Sequence, residues 1–136
     1  MSDILLDTHV WIWASLDDRN SLSPRAIRAI KESKRRWISA ISLWELAKLV
    51  ERKRIGFSIP ALTWIRRSIN EQEIRIADLS PEIAVESTHL RGFHKDPADQ
   101  LIVATSRVLG MPLLTSDRRI LDFPDVETIW YPKPIP

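Results

Sequence analysis

Four acidic residues, Asp7, Glu45, Asp99 and Asp117, stand where the sequence could do chemistry. Asp7 closes the apolar run Ile4-Leu5-Leu6, and Glu45 follows closely on Trp37-Ile38-Ser39. Asp117 comes just after Leu113-Leu114-Thr115, and Asp99 lies in Asp96-Pro97-Ala98-Asp99-Gln100. Carboxylates at close quarters repel and cannot all stay ionised unaided, so protons or cations must compensate. Hard oxygen donors with water completing the shell suit Mg²⁺ or Mn²⁺, which commonly bind through a few carboxylates plus substrate phosphate. One ion or two would serve. A pair about 4 Å apart can activate water on one side of a phosphodiester and stabilise the leaving oxygen on the other. The metal must also invert the local sign before a polyanion can approach.

Each acid has an ordinary use as well. Ser42-Leu43-Trp44-Glu45 has the pattern of a capping box, in which Glu45 would bond the backbone of Ser42. Asp96 can cap a helix opened by Pro97, leaving Asp99 as a first-turn acid favoured by the helix dipole. Asp117 can cap a helix beginning at Arg118. Asp7 is harder to explain this way, because an acid ending a buried strand has no immediate cap to make. The joint placement of the four therefore weighs more than any one of them.

The elements that must position these residues can be read from the apolar pattern. Ile4-Leu5-Leu6 suits a short buried strand, followed by an apolar helix from Val10 to Leu16. Ser23-Pro24 gives a cap-plus-proline start to a second helix, with Ala26, Ile27, Ala29 and Ile30 on one stripe. Trp37-Ile38-Ser39 reads as strand two. Ser42 is then taken to cap a helix running to about Arg54, with Leu43, Leu46, Ala47 and Val50 at helical spacing. A helix over residues 60–70 and a strand at Ile74-Arg75-Ile76 follow. Ser80-Pro81 opens a helix through Leu90, and Asp96-Pro97 opens one stopped by Gly110. Leu113-Leu114-Thr115 is strand four, Thr128-Ile129-Trp130 a short fifth, and Pro132, Pro134 and Pro136 end regular structure.

Strands alternating with helices predict a three-layer α/β/α sandwich in one domain, residues 1–136, around a mainly parallel sheet of about five strands. Ligands of such a sheet bind beyond the carboxyl ends of its strands. Asp7 and Asp117 follow strands, Glu45 opens the helix after one, and Asp99 opens the helix that descends into strand four. Four segments thus deliver carboxylates to one rim.

Composition narrows the classes further. The chain has no cysteine, which removes disulfides, thiolate catalysis and the usual structural zinc sites together. No apolar stretch approaches the roughly 20 residues a membrane helix needs, and Met1-Ser2-Asp3 is expected to open straight into structure, with no signal peptide. A cytoplasmic protein with no membrane partner is expected. Net charge is only +2, but residues 19–54 hold 11 Lys/Arg against 3 Asp/Glu, while the remainder holds 9 against 15. A basic segment beside an acidic remainder suggests a polyanion held near a cation site, with Lys48, Arg52 and Arg54 as phosphate contacts. The same basic residues can also serve as solvated helix ends. Of the six Trp residues, Trp11, Trp13, Trp37, Trp44 and Trp64 fall mostly in apolar periodic segments. Core or dimer packing is their expected role, ahead of base stacking.

Four stretches, in order, are familiar: Asp7-Thr8-His9-Val10-Trp11-Ile12-Trp13, Ser39-Ala40-Ile41-Ser42-Leu43-Trp44-Glu45, His94-Lys95-Asp96-Pro97-Ala98-Asp99-Gln100, and Leu114-Thr115-Ser116-Asp117. With this order and spacing the chain resembles the PIN-domain family, and within it the VapC ribonuclease toxins of toxin–antitoxin pairs. The resemblance implies a PIN-like sandwich and Mg²⁺- or Mn²⁺-dependent endonucleolytic hydrolysis of RNA by metal-activated water. It also implies a homodimer inhibited by a VapB-type antitoxin, with DNA met only indirectly through that antitoxin. Asp7 and Asp99 match the family's principal metal ligands, and Glu45 and Asp117 its other two acids. Thr8, Ser42 and Thr115 match small hydroxyl positions supporting the site, and Asp96 matches an extra acid ranked below the four. One departure is Gln100, where many members carry Arg, which bears on charge balance and phosphate contact rather than on a ligand. His9 and His94 flank the motifs, but a metal-activated water needs no histidine base; His89 reads as helix surface.

Two other classes compete. A phosphoacceptor switch on a doubly wound fold would want paired acids after strand one and a Lys after strand five; Asp7-Thr8 lacks the pair and Lys133 is poorly placed. A non-catalytic RNA-binding or scaffold relative would be expected to have lost some acids, and here all four remain.

Overall fold

Ile4 and Leu6 pack into one apolar core and Leu5 into another, so strand β1 (Ile4–Leu6) is buried on both faces. Successive side chains on a strand point to opposite faces, and a strand covered on each side by helices needs apolar residues throughout. Strand β4 (Leu113–Leu114) repeats the arrangement, Leu113 joining the core of Leu5 and Leu114 that of Leu6. In this computed structural model, residues 2–131 are described. With β2 (Arg36–Ser39), β3 (Ile74–Ala77) and β5 (Thr128–Ile129), they form one sheet in the order β3-β2-β1-β4-β5, every pairing parallel. The expected mainly parallel sheet is therefore wholly parallel.

Helices cover both faces, as a parallel sheet requires. Helices α1 (Thr8–Ser15), α2 (Pro24–Glu32), α3 (Ala40–Glu51) and α4 (Ala61–Glu71) bring Val10, Trp11, Ala26, Leu46 and Trp64 onto the face of Ile4 and Leu6. Helices α6 (Pro97–Leu109) and α7 (Arg118–Leu121) bring Ile102, Val103 and Ile120 onto the face of Leu5, with α5 (Pro81–Glu86) packed against α6. The three-layer sandwich stands. Among the described residues, no helix is long and apolar enough to cross a membrane.

The chain builds β1, β2 and β3 outward on one side, then crosses to β4 and β5 on the other. The strand order therefore reverses between β1 and β4, and a crevice opens at the carboxyl ends of strands that diverge in this way. Asp7 leaves β1 and Thr115 leaves β4 at that point.

Local signals placed most helix ends. Ser23 accepts from Ala26 N at 3.0 Å ahead of Pro24, Ser80 accepts from Ile83 N at 3.2 Å ahead of Pro81, and Gly110 ends α6 at φ +66°. That left-handed turn costs glycine little because it has no Cβ.

Four ends differ from expectation. Helix α1 starts at Thr8 rather than Val10, because Asp7 does act as its cap, accepting from Thr8 N at 2.8 Å. Helix α3 starts at Ala40, capped by Ser39 rather than Ser42, and stops at Glu51 rather than Arg54, where Lys53 turns to φ +57°. Helix α5 ends at Glu86 rather than Leu90. The hydroxyls of Ser87 and Thr88 bond back to Ala84 O and Val85 O there, a local competition that weakens helix continuation. Pro132, Pro134 and Pro136 lie outside the described residues.

The tryptophans divide. Trp11, Trp64 and Trp130 are buried, so Trp11 belongs to the chain's own core and is closed to a dimer contact. Trp44, expected to pack, is instead 54% exposed. It falls beside the inward stripe of α3, whose buried members are Ser42 and Leu46.

Candidate active site

The first residue of the site is fixed twice. Asp7 Oδ1 caps α1 through Thr8 N, and Asp7 Oδ2 accepts from the Thr115 hydroxyl at 2.6 Å, which ties the end of β1 to the end of β4. Thr115, fully buried, also accepts from Asp117 N at 3.1 Å, so one hydroxyl sets two of the four acids.

Glu45 is set by Thr8. The Thr8 hydroxyl oxygen lies 2.5 Å from Glu45 Oε1 and 2.8 Å from Ser42 Oγ, and Ser42 is fully buried. A hydroxyl has one proton and two lone pairs; with that proton given to the carboxylate, Ser42 donates in the hydroxyl–hydroxyl bond. The capping-box expectation for Ser42 and Glu45 therefore fails. Ser39 caps α3 from three residues earlier, which places Glu45 in the second turn and aims it at Thr8.

Asp99 lies in the first turn of α6, only 7% exposed. Asp96 caps that helix by accepting from Asp99 N at 3.1 Å, so its cap role is real and does not remove it from the site. Asp117 likewise caps α7, accepting from Arg119 N at 2.9 Å. Asp7, Thr8, His9, Glu45, Asp96, Asp99, Ser116, Asp117 and Arg119 together line one pocket of about 330 Å³. All four predicted acids meet there. Lys48, Arg52 and Arg54 lie outside it, along an adjoining groove with Trp44 that shares only Glu45 and Asp96 with the pocket.

Burial and mutual repulsion act on the protons. Asp99 is pushed up to about 8, first by burial and then by the charges of Asp7, Asp96, Asp117 and Glu45. Burial raises Asp7 too, against the lowering effect of its bonds from Thr115 and Thr8. Burial also raises Glu45, against the Thr8 bond and with Asp7 and Asp96 adding to the rise. A cluster whose charged forms are this disfavoured calls for a cation, and its all-oxygen donors are of the kind hard divalent ions take. Among the described residues, however, no three acids or histidines stand close enough to hold one ion together. The residues fit a hydrated ion resting on one or two carboxylates, with water filling the shell, as Mg²⁺ commonly binds.

Two neighbours of the acids carried no assignment in the sequence. Arg119 reaches Asp117 Oδ2 at 3.3 Å and Asp99 Oδ2 at 3.6 Å, and its bond to Asp117 raises its own pKa. A signal was available: a cation two residues after Asp117, in the first turn of a helix that starts on the rim. His94 accepts from Asp96 N at Nδ1 at 3.3 Å, while its Nε2 lies 3.2 Å from Asp99 Oδ2 without a hydrogen bond of good geometry, so the ring borders the site. His9 lines the pocket with its ring 5.8 Å from that of Trp13, whereas His89 is exposed and bonds Val85 O. Arg119→Ala is expected to tighten Mn²⁺ binding severalfold, because it removes a guanidinium lying on Asp99 and Asp117. Calorimetric titration of both proteins checks this; equal or weaker binding by the variant would count against it.

A PIN domain profile matches residues 4–126 of the chain. The chain belongs to the PIN domain family. It is 37% identical over 133 residues to Ribonuclease VapC22 of Mycobacterium tuberculosis (strain ATCC 25618 / H37Rv), covering 96% of this chain and 100% of that protein. The fold is similar to that of VapBC2 from Rickettsia felis bound to a DNA fragment from its promoter. The TM-score is 0.67 at 17% identity, covering 94% of this chain and 97% of that one. It is equally similar to DNA-bound VapBC from Salmonella typhimurium, with TM-score 0.67 at 20% identity and the same 94% and 97% coverage. In this PIN domain Gln100 donates from Nε2 to His94 O at 3.2 Å, so it ties down the loop carrying His94. The positive charge absent at position 100 reaches the acids from Arg119 instead.

Proposed function

We propose that this PIN domain is a divalent-metal-dependent endoribonuclease, the toxin of a VapBC-type toxin–antitoxin pair. The observation that carries the proposal is the convergence of Asp7, Glu45, Asp99 and Asp117, from four separate segments, in one pocket at the reversal of strand order. The ribonuclease relative supports RNA as substrate, and the VapBC neighbours support an antitoxin as partner, with DNA contacted only through it. A homodimer belongs to the same proposal.

Asp7 and Asp99 would hold Mg²⁺ or Mn²⁺, with Glu45 and Asp117 assisting. When bound, the metal supplies charge stabilisation at phosphate and a water acidic enough to attack at neutral pH. The chain's own part is positioning. Thr115 and Thr8 N hold both Asp7 oxygens, Thr8 holds Glu45 with buried Ser42 behind it, and Asp96 fixes the first turn of α6 beneath Asp99. Lys48, Arg52 and Arg54 lie beside the pocket, where they would meet phosphates of the strand.

Total cellular RNA incubated with the protein should be cleaved with Mg²⁺ or Mn²⁺ and left intact with EDTA. Binding that persists in EDTA with no cleavage under any metal would favour a non-catalytic RNA-binding role. A pH effect should accompany it. Asp99 has a folded pKa of about 8, above its ordinary 3.8; its proton competes with metal, so affinity should rise with pH and level off above that value. For one proton released the limit is roughly tenfold per pH unit. The same sign makes the metal-free fold lose stability as pH rises through this window, since the folded state binds the extra proton. A Mn²⁺ affinity that is flat between about pH 6 and about pH 8 would refute the coupling.

A further inference from the structure

Beside the acidic pocket runs a groove of about 520 Å³. Trp44, Lys48, Arg52 and Arg54 lie along α3 and the turn beyond it, and Pro97 and Ala98 of α6 also line the groove. Glu45 and Asp96 belong to groove and pocket alike, so the two cavities adjoin there. Trp44 immediately precedes Glu45, is 54% exposed, and has Lys48 Nζ 5.9 Å from its ring centroid. A large aromatic left in solvent next to a site, with a cation at its face, contributes little to this fold's core. With Lys48 over one face, the exposed part of the ring still offers surface to a flat partner.

Resting on the ribonuclease proposal, we infer that this groove is a subsite for single-stranded RNA, in which Trp44 stacks on an unpaired base next to the cleaved phosphate. Charge and adjacency to the acids select this occupant. Three cations line a groove that meets the acidic pocket at Glu45 and Asp96, which matches a phosphate backbone running up to the acids. Basic grooves combined with aromatic platforms hold single strands because every base offers a π-face, whatever its identity. A base paired in a helix has both faces covered by its neighbours and could not use the ring. The subsite therefore selects for unpaired RNA, such as loops and ends, and sets the register of the strand over the acids through one fixed base.

The test separates stacking from a merely structural role. A synthetic oligoribonucleotide spanning one mapped cleavage position is made in versions with a single abasic nucleotide at each successive position. Binding is followed by fluorescence anisotropy in Mg²⁺ with the Asp7→Asn chain, which is expected to bind without cutting. One abasic position should weaken binding roughly five- to a hundredfold, the range base–aromatic stacking supplies. Adding Trp44→Ala should weaken the intact oligonucleotide by a similar factor and abolish the response at that position, whereas Trp44→Phe should keep most of both. Melting curves confirm that the exposed substitution leaves the fold intact. A flat abasic scan, or a scan unchanged by Trp44→Ala, would overturn the inference. So would unaltered RNA affinity in Trp44→Ala, which would assign the groove to another occupant such as a protein segment. Metal-dependent cleavage of RNA by the unaltered protein keeps these failures distinct from failure of the ribonuclease proposal.

Discussion

Asp7→Asn should abolish RNA cleavage while leaving the fold as stable as before, or more so. The loss should reach about a hundredfold or more, since a bound metal contributes several kcal/mol of charge stabilisation and each 1.36 kcal/mol is tenfold in rate. Stability goes the other way for a separate reason. Burial holds Asp7 above its ordinary pKa, so its ionised form is disfavoured in the folded state at neutral pH. Asn removes that charge, keeps Oδ1 for the Thr8 N cap, and turns an Nδ2 donor toward the Thr115 hydroxyl, whose second lone pair can accept it. Single-turnover cleavage and thermal unfolding of the two proteins check both halves. Equal cleavage would remove Asp7 from the active site, and a large fall in melting temperature would make any activity loss uninformative.

The largest stability effect should come from Trp11→Ala. Trp11 is wholly buried on α1, with its ring 5.6 Å from that of Trp64 and its indole N–H donating to Ser68 Oγ at 2.8 Å. Truncation loses the transfer energy of the ring, leaves a cavity, and strips the buried Ser68 hydroxyl of a partner. Such changes cost about 3–5 kcal/mol, a large share of the roughly 5–15 kcal/mol that holds a domain folded. A fall in Tm on the order of 10–20 °C follows. Trp11 sits one turn after Thr8 on the helix that Asp7 caps, so activity should fall with the fold. A loss below about 1 kcal/mol in urea unfolding would show that the cavity collapses without cost.

The fold was legible because its signals are local and redundant. Ile4-Leu5-Leu6 and Leu113-Leu114 are apolar at every position, as two covered faces demand, and Ser23-Pro24, Ser80-Pro81 and Gly110 each mark a helix end with its own steric reason. The meeting of the acids followed from the rule that strand ends share a rim. What could not be read depended on contacts across the chain. Capping-box spacing to Glu45 favours Ser42 in sequence, but Ser42 is buried against Thr8, 34 residues away, and Ser39 caps the helix instead. The claim that Asp7 had no cap to make failed for the opposite reason: the helix begins at the very next residue. The reach of Arg119 to Asp99 is not local, since the two are distant in the chain, and in α3 a stripe of apolar residues hides Trp44, the member left in solvent.

Asp7, Asp96 and Asp117 each cap a helix as well as face the pocket. Asn caps a helix about as well as Asp, and the two amino acids differ by one nucleotide in their codons. A lineage under pressure to silence this chain therefore has a very short road. A single transition at Asp7 would leave a well-folded protein, still presenting its groove and outer surface, that has lost the charge and one acceptor oxygen. Folded decoys able to occupy the same partners should thus arise from this gene more readily than unfolded losses, and an Asp-to-Asn change at these caps is the mark by which to find them.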